Sequence, residues 1–73
     1  MWIANRKRRE FTNVNTGLQI TIFDDTIRAW HYNEANSYAT LGKVNGPDDA
    51  MKKYAEILEI LQLKQLLLVE YEE

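Results

Sequence analysis

The stretch YATLGKVNGPDDAMKKYAEIL, from Tyr38 to Leu58, decides the fold. It combines a short strand pattern, an Asn-Gly-Pro connection and the beginning of an amphipathic helix. Pro47 suits the first helical position, where its missing N–H would have no partner, and Gly46 suits the N-cap. Asp48 and Asp49 follow in the first turn, where carboxylates meet the positive end of the helix dipole. The sequence therefore predicts a helix that begins at Pro47.

One apolar stripe runs along this helix and should pack on a sheet. Its members recur at helical spacing and are Ala50, Met51, Tyr54, Ile57, Leu58 and Leu61. The end of the helix is unmarked, because no Gly, Pro or Asn follows Leu58. A stop near Leu63 lets Leu66 to Tyr71 return as a last strand. The alternative is a helix that continues to Tyr71, which would be about 37 Å long and would place carboxylates at its negative end.

Strand patterns precede the helix. Residues typical of strands lie between turn signals in three segments, which are Leu18 to Phe23, Thr26 to Asn33 and Tyr38 to Val44. Gly42 predicts a bulge or a close backbone approach. Further strand candidates are Phe11 to Val14 and Trp2 with Ile3. We predict an α+β fold in which an antiparallel sheet of three or four strands, within residues 1–46, packs on one helix over 47–63, with 64–73 as a tail or last strand.

The length of 73 residues suits one domain, residues 1–73, which would bury roughly 60% of its unfolded surface. With no cysteine and one histidine, the chain has neither a disulfide staple nor a zinc site. The core is therefore thin, and a homo-oligomer is a candidate arrangement. The longest clear apolar run, Leu66 to Val69, is far shorter than the roughly 20 residues of a bilayer span, so we expect no membrane partner. The absence of cysteine and of a secretory signal favours the cytoplasm.

Catalytic constellations are missing from the sequence. Asp24-Asp25 and Asp48-Asp49 are sequence neighbours whose side chains diverge, and each pair already suits a turn or a helix start. His31 alternates onto the face of Ile27 and Ala29, which is typical of a hydrogen-bonded core or rim residue. We expect no enzymatic activity, no metal and no cofactor.

The densest charge feature is a basic run that consists of Arg6, Lys7, Arg8 and Arg9. Residues 1–46 carry six basic and four acidic side chains, whereas residues 47–73 carry three basic and seven acidic ones. Four adjacent cations can neutralise several phosphates of a nucleic acid. The alternative is a solvated run that protects a strand edge from aggregation.

The segment Thr26 to Asn33 has two unlike faces. Arg28, Trp30 and Tyr32 share one face, and Ile27 and Ala29 share the other. If Ile27 and Ala29 lie under the helix, the outward face carries the residue types that are enriched at binding hot spots and that stack on bases. In the opposite arrangement, Trp30 and Tyr32 form the core.

Three motifs carry a resemblance to known DNA-binding domains. Leu41-Gly42-Lys43-Val44, then Asp48-Asp49-Ala50 and Tyr54, resemble the pattern in ethylene-response transcription factors and in the amino-terminal arm-binding domains of phage and transposon integrases. The resemblance covers roughly residues 18–61 and implies a three-stranded antiparallel sheet on one helix, with its free face in the major groove. It also implies that Ala29 lies under the helix and that Arg28, Trp30 and Lys43 face the DNA.

The sequence thus supports two functions. The first is a small nucleic-acid-binding accessory protein of phage or mobile-element type, with binding residues Arg6, Lys7, Arg8, Arg9, Arg28, Trp30 and Lys43. The alternative is a protein-interaction module or inhibitor that docks through the sheet face at Tyr32 or through the apolar C-terminal segment at Leu66 and Leu68.

Overall fold

The computed structural model describes residues 1–31 and 37–72, which form one helix and six strands. The elements are β1 (Trp2–Asn5), β2 (Glu10–Asn13), β3 (Leu18–Ile22), β4 (Thr26–His31), β5 (Ala39–Lys43), α1 (Pro47–Leu63) and β6 (Leu67–Tyr71). The predicted α+β class is confirmed, and so are both bounds of the helix. The C-terminal segment is a strand and does not continue the helix. The end of the predicted second strand, residues 32 and 33, lies outside the described residues.

The sheet is larger than predicted and is mixed, with the strand order β5-β4-β3-β2-β1-β6. Neighbouring strands are antiparallel except β1 and β6, which are parallel. The predicted number of three or four strands was therefore too small, and the parallel pair of β1 and β6 departs from the predicted antiparallel arrangement, which the other pairs follow. The strands β1 and β2 have four residues each, too few to establish a period in the sequence. The pairing of β6 with β1 joins opposite ends of the chain, which no local pattern reveals.

The helix carries the chain across the whole width of the sheet. Strands β5 and β6 form the two edges, about 24 Å apart at about 4.8 Å per strand spacing. The 17 residues of α1 span about 25 Å at 1.5 Å per residue. The length of the helix therefore matches the distance that the connection from β5 to β6 has to cover.

The core lies between α1 and one face of the sheet. The helix buries Ala50, Tyr54, Leu58 and Leu61, and the sheet contributes Ala4, Phe11 and Ile22. The rings of Phe11 and Tyr54 stack with their centroids 4.9 Å apart. Met51, which was predicted to belong to the apolar stripe, is instead 39% exposed, because it lies at the margin of the helix face that contacts the sheet.

Both ends of the helix have defined caps. Gly46 is the N-cap at φ 94°, in the left-handed region that favours glycine. The Asn45 N–H donates to Asp49 Oδ2 at 2.9 Å. At the other end, Gln65 adopts a φ of 56°, and the Leu66 N–H donates to the Leu61 carbonyl at 2.8 Å. This is a Schellman motif with Gln in place of the usual Gly, which explains why the sequence did not mark the end of the helix.

Candidate binding face of the sheet

Strand register separates the residues of β4 into two sets. Ala29 pairs with Ile20, and Ile27 pairs with Ile22; Ile20 and Ile27 pack against the core. Arg28 pairs with Thr21 and therefore lies on the opposite face, as does Trp30. We call this side of the sheet, which α1 does not cover, the open face. The arrangement is the first of the two that the sequence left open.

Four side chains on this side form an aromatic-arginine cluster: Phe23, Arg28, Trp30 and Tyr38. The Cζ atom of Arg28 lies 4.5 Å from the ring centroid of Tyr38 and 5.0 Å from that of Phe23, within the range of cation–π attraction. Trp30 meets the other two rings edge-on, at centroid distances of 6.0 Å to Phe23 and 6.1 Å to Tyr38. The cluster therefore joins a cation and three aromatic rings on one surface.

Sequence reasoning found Arg28 and Trp30 but missed Phe23 and Tyr38. Phe23 follows the last residue of β3, and Tyr38 precedes the first residue of β5. At these positions the alternation of a strand no longer assigns a face. The sequence did contain one signal for them. Both residues are aromatic, and both lie beside the ends of the strands that flank β4 in the sheet.

Hydrogen bonds fix the cluster to the sheet. Trp30 Nε1 donates to Gln19 Oε1 at 3.2 Å, and Gln19 Nε2 donates to Thr12 Oγ1 at 3.2 Å. Arg28 Nε donates to Thr26 Oγ1, also at 3.2 Å. The tryptophan and the arginine are thus oriented by residues on regular strands, and such sites are more rigid than sites on loops.

A second cation shares the open face with Arg28. Lys43 pairs with Thr26, which precedes Arg28 by two residues on β4, and the register between β4 and β5 then shifts beside Gly42. The shift lies at the position where Gly42 predicted a bulge or a close backbone approach. In the described part of the chain, ion pairs join Arg6 to Glu70, Arg9 to Asp24 and Lys53 to Asp49. Neither Arg28 nor Lys43 belongs to such a pair.

The basic run forms the turn between β1 and β2. Arg6 pairs with Glu70 at 3.1 Å, and Arg9 pairs with Asp24 at 2.8 Å. Arg9 has a φ of 52° and accepts a backbone hydrogen bond from Ile22. Lys7 and Arg8 are exposed, and no carboxylate of the described ranges pairs with them. Two cations of the run therefore have a carboxylate partner, and the other two have none among the described residues.

A polar network beside this turn joins β6 to the helix. The hydroxyl of the fully buried Tyr54 donates to Glu70 Oε2 at 2.7 Å, and Arg6 reaches the same carboxylate. Burial and, as a smaller contribution, the hydrogen bond to Glu70 raise the pKa of Tyr54 well above its usual range. The phenol therefore stays protonated and holds the last strand against α1.

The C-terminal segment exposes most of its apolar side chains. Leu66 and Leu68, both predicted to bind a partner, are 39% and 57% exposed, and Val69 is 48% exposed. Leu67 alone of the segment packs against the core. Tyr32, the third predicted partner-binding residue, lies outside the described residues. His31 was predicted to be a core or rim residue, but it is exposed at the end of β4.

Among the residues that the structure describes, no group of three or more His, Cys, Asp or Glu side chains is placed to hold a metal ion. The helix of the described residues is too short and too polar to cross a membrane.

Searches against known protein families, curated proteins and solved structures give no match for the chain. Its fold defines the class as a small α+β domain in which the helix covers one face of the sheet.

Proposed function

We propose that this protein is a small non-enzymatic binding protein that docks a partner protein on the open face of its sheet. The observation that carries the proposal is the aromatic-arginine cluster, which lies on the side of the sheet that α1 does not cover. Trp, Tyr and Arg are the residue types enriched at interface hot spots. Of the two functions considered from the sequence, this is the protein-interaction alternative.

Charge distribution favours a protein over a nucleic acid as the partner. Binding along a phosphate backbone needs several unpaired cations on one surface. Arg6 and Arg9 are already paired with Glu70 and Asp24, and Glu72 lines the same shallow pocket as Arg6. The chain as a whole has a formal charge of −2. The end of the sheet that holds the basic run is therefore close to electrically balanced.

A capture experiment with matched variants tests the proposal. The immobilised wild-type protein, Arg28→Gln and Lys52→Gln are incubated with nuclease-treated native lysate, and the bound proteins are compared. Lys52 is exposed on α1, so its variant removes the same charge away from the open face. We expect a protein that binds the wild type and Lys52→Gln but not Arg28→Gln. Equal capture by all three variants would contradict docking at the cluster.

Nucleic-acid binding is the second candidate, as an accessory protein of phage or mobile-element type in the cytoplasm. Its specific support is that Lys7, Arg8 and Lys43 are exposed cations and that Trp30 offers an aromatic surface on the open face. If this function holds, affinity falls with salt, and the double variant Lys7→Gln/Arg8→Gln flattens the slope of log K against log salt by about 0.9 per lost duplex phosphate contact. Absence of binding to single and double strands at about 50 mM salt would remove this candidate.

A further inference from the structure

The geometry points to a specific role for Arg28: its guanidinium receives a carboxylate from an acidic segment of the partner protein. This inference rests on the proposed function and adds the chemistry of the partner. The segment would lie on the open face with an Asp or Glu side chain directed at Arg28. Lys43 would supply a second positive charge beside it.

With respect to the described residues, the guanidinium has donors left for such a ligand. Its Nε donates to Thr26, and its carbon lies over the rings of Phe23 and Tyr38. Neither terminal nitrogen of Arg28 has a hydrogen-bond or ion-pair partner within residues 1–31 and 37–72. Arginine presents these nitrogens as a planar fork that matches the two oxygens of a carboxylate. The bond from Nε and the two rings fix the plane in which the fork lies.

Preorganisation makes this arginine a better receptor than a free surface arginine. A mobile arginine loses rotamer freedom when it binds, which weakens affinity. Arg28 is already held by one hydrogen bond and two rings, and Trp30, which packs against both rings, is itself held by Gln19. Much of the ordering is therefore complete before a ligand arrives.

Charge decides which ligand fits the cluster. Three aromatic rings could also surround a ligand cation, but the protein's own Arg28 occupies that position. Lys43 lies on the same face, diagonal to Arg28 across β4 and β5, and it would repel a second cation. A single carboxylate is compatible with both positive charges.

A fluorescence titration with defined probes tests the inference. Replacing Trp2 by Phe leaves Trp30 as the sole tryptophan, since the chain has two. The probes are acetylated hexaglutamate, hexaglutamine and a twelve-nucleotide oligothymidylate. We expect hexaglutamate to change the Trp30 emission and hexaglutamine to leave it unchanged. Arg28→Lys, which keeps the charge but loses the fork, should weaken hexaglutamate binding about tenfold or more, whereas Lys52→Gln should change it about twofold or less.

Each outcome decides the inference. Equal binding of hexaglutamate by Arg28→Lys and by the Trp2→Phe parent would overturn it, as would equal binding of hexaglutamine. A stronger response to oligothymidylate would overturn it in favour of nucleic acid. If Arg28→Lys does not fold, the Nε–H resonance of Arg28 in the parent protein provides the readout, and the expected result is a shift with hexaglutamate alone. No response to any probe would also refute carboxylate binding, while Arg28-dependent capture from lysate would still support a protein partner.

Discussion

Replacing Tyr54 by Phe removes one hydroxyl from the buried network and leaves the packing of the ring intact. The lost interaction is the 2.7 Å hydrogen bond to the Glu70 carboxylate, and a hydrogen bond to a charged group contributes about 1.5–3 kcal/mol. The Glu70 side chain is 25% exposed and keeps its ion pair with Arg6, so water and Arg6 replace part of the loss. We therefore expect a decrease of about 1.5–2 kcal/mol in the free energy of unfolding. At about 4–8 °C per kcal/mol for a domain of this size, Tm falls by about 6–16 °C.

Urea denaturation followed by circular dichroism measures this difference. Tyr71→Phe is the matched control, because Tyr71 is 41% exposed and an exposed substitution should stay within about 0.5 kcal/mol of wild type. A double-mutant cycle with Glu70→Gln isolates the pair, and the effect of Tyr54→Phe should shrink by about 0.5 kcal/mol or more in that background. A Tyr54→Phe protein as stable as the Tyr71→Phe control would refute the view that this hydroxyl anchors β6 to α1.

Three further predictions concern the helix. Leu58→Ala should lower the free energy of unfolding by about 2–5 kcal/mol because Leu58 is buried, whereas Ile60→Ala, at a position that is 52% exposed, should change it by about 0.5 kcal/mol or less; urea midpoints compare the two. Gln65→Gly should raise the free energy of unfolding by about 0.5–1 kcal/mol, because glycine adopts the φ of 56° without the steric cost of a side chain, and a lower Tm would contradict this. Burial raises the pKa of Tyr54, so above the ordinary tyrosine pKa of about 10 the folded protein keeps a proton that the unfolded chain loses. Stability should then decrease by about 1.4 kcal/mol per pH unit in that range, and urea midpoints at about pH 9 and pH 11 should show a smaller decrease for Tyr54→Phe.

The helix could be predicted from the sequence because its signals are local. Gly46 and Pro47 mark its start within two adjacent positions, and the apolar stripe extends from there at helical spacing. Its end at Leu63 was inferred from length, since Gln65 gives no sequence signal for the left-handed conformation that it adopts. The Leu66 N–H donates to the Leu61 carbonyl and thereby holds this conformation where the chain turns toward β6.

The full sheet could not be predicted, because its pairings join distant parts of the chain. Trp2 pairs with Leu67, and the four-residue strand β1 gives no pattern that would reveal it. The same is true of the basic run, where the partners of Arg6 and Arg9 are Glu70 and Asp24. A run of four cations is a strong local signal, but only the folded chain determines how many of them are paired with carboxylates.

The part of the candidate site that lies on a single strand could be predicted from the alternation of its side chains. Period-two alternation placed Arg28 and Trp30 on one face, and register with β3 then identified that face as the open one. The contacts of Phe23 and Tyr38 with Arg28 depend instead on which strands flank β4. The shared face of two residues on one strand can therefore be assigned from the sequence. A cluster that joins residues on or beside three neighbouring strands can be identified only from the topology of the sheet.

The position of the cluster also determines how its variants can be interpreted. Because α1 packs on the opposite face, the core contains neither Arg28 nor Trp30. A substitution such as Arg28→Lys therefore removes no buried apolar contact with the helix, and the large cavity cost of core truncations does not apply. A loss of binding in a variant of unchanged urea midpoint then reports on the open face itself. Because the core and the candidate site occupy opposite faces of one sheet, stability and binding can be measured as separate properties of this small domain.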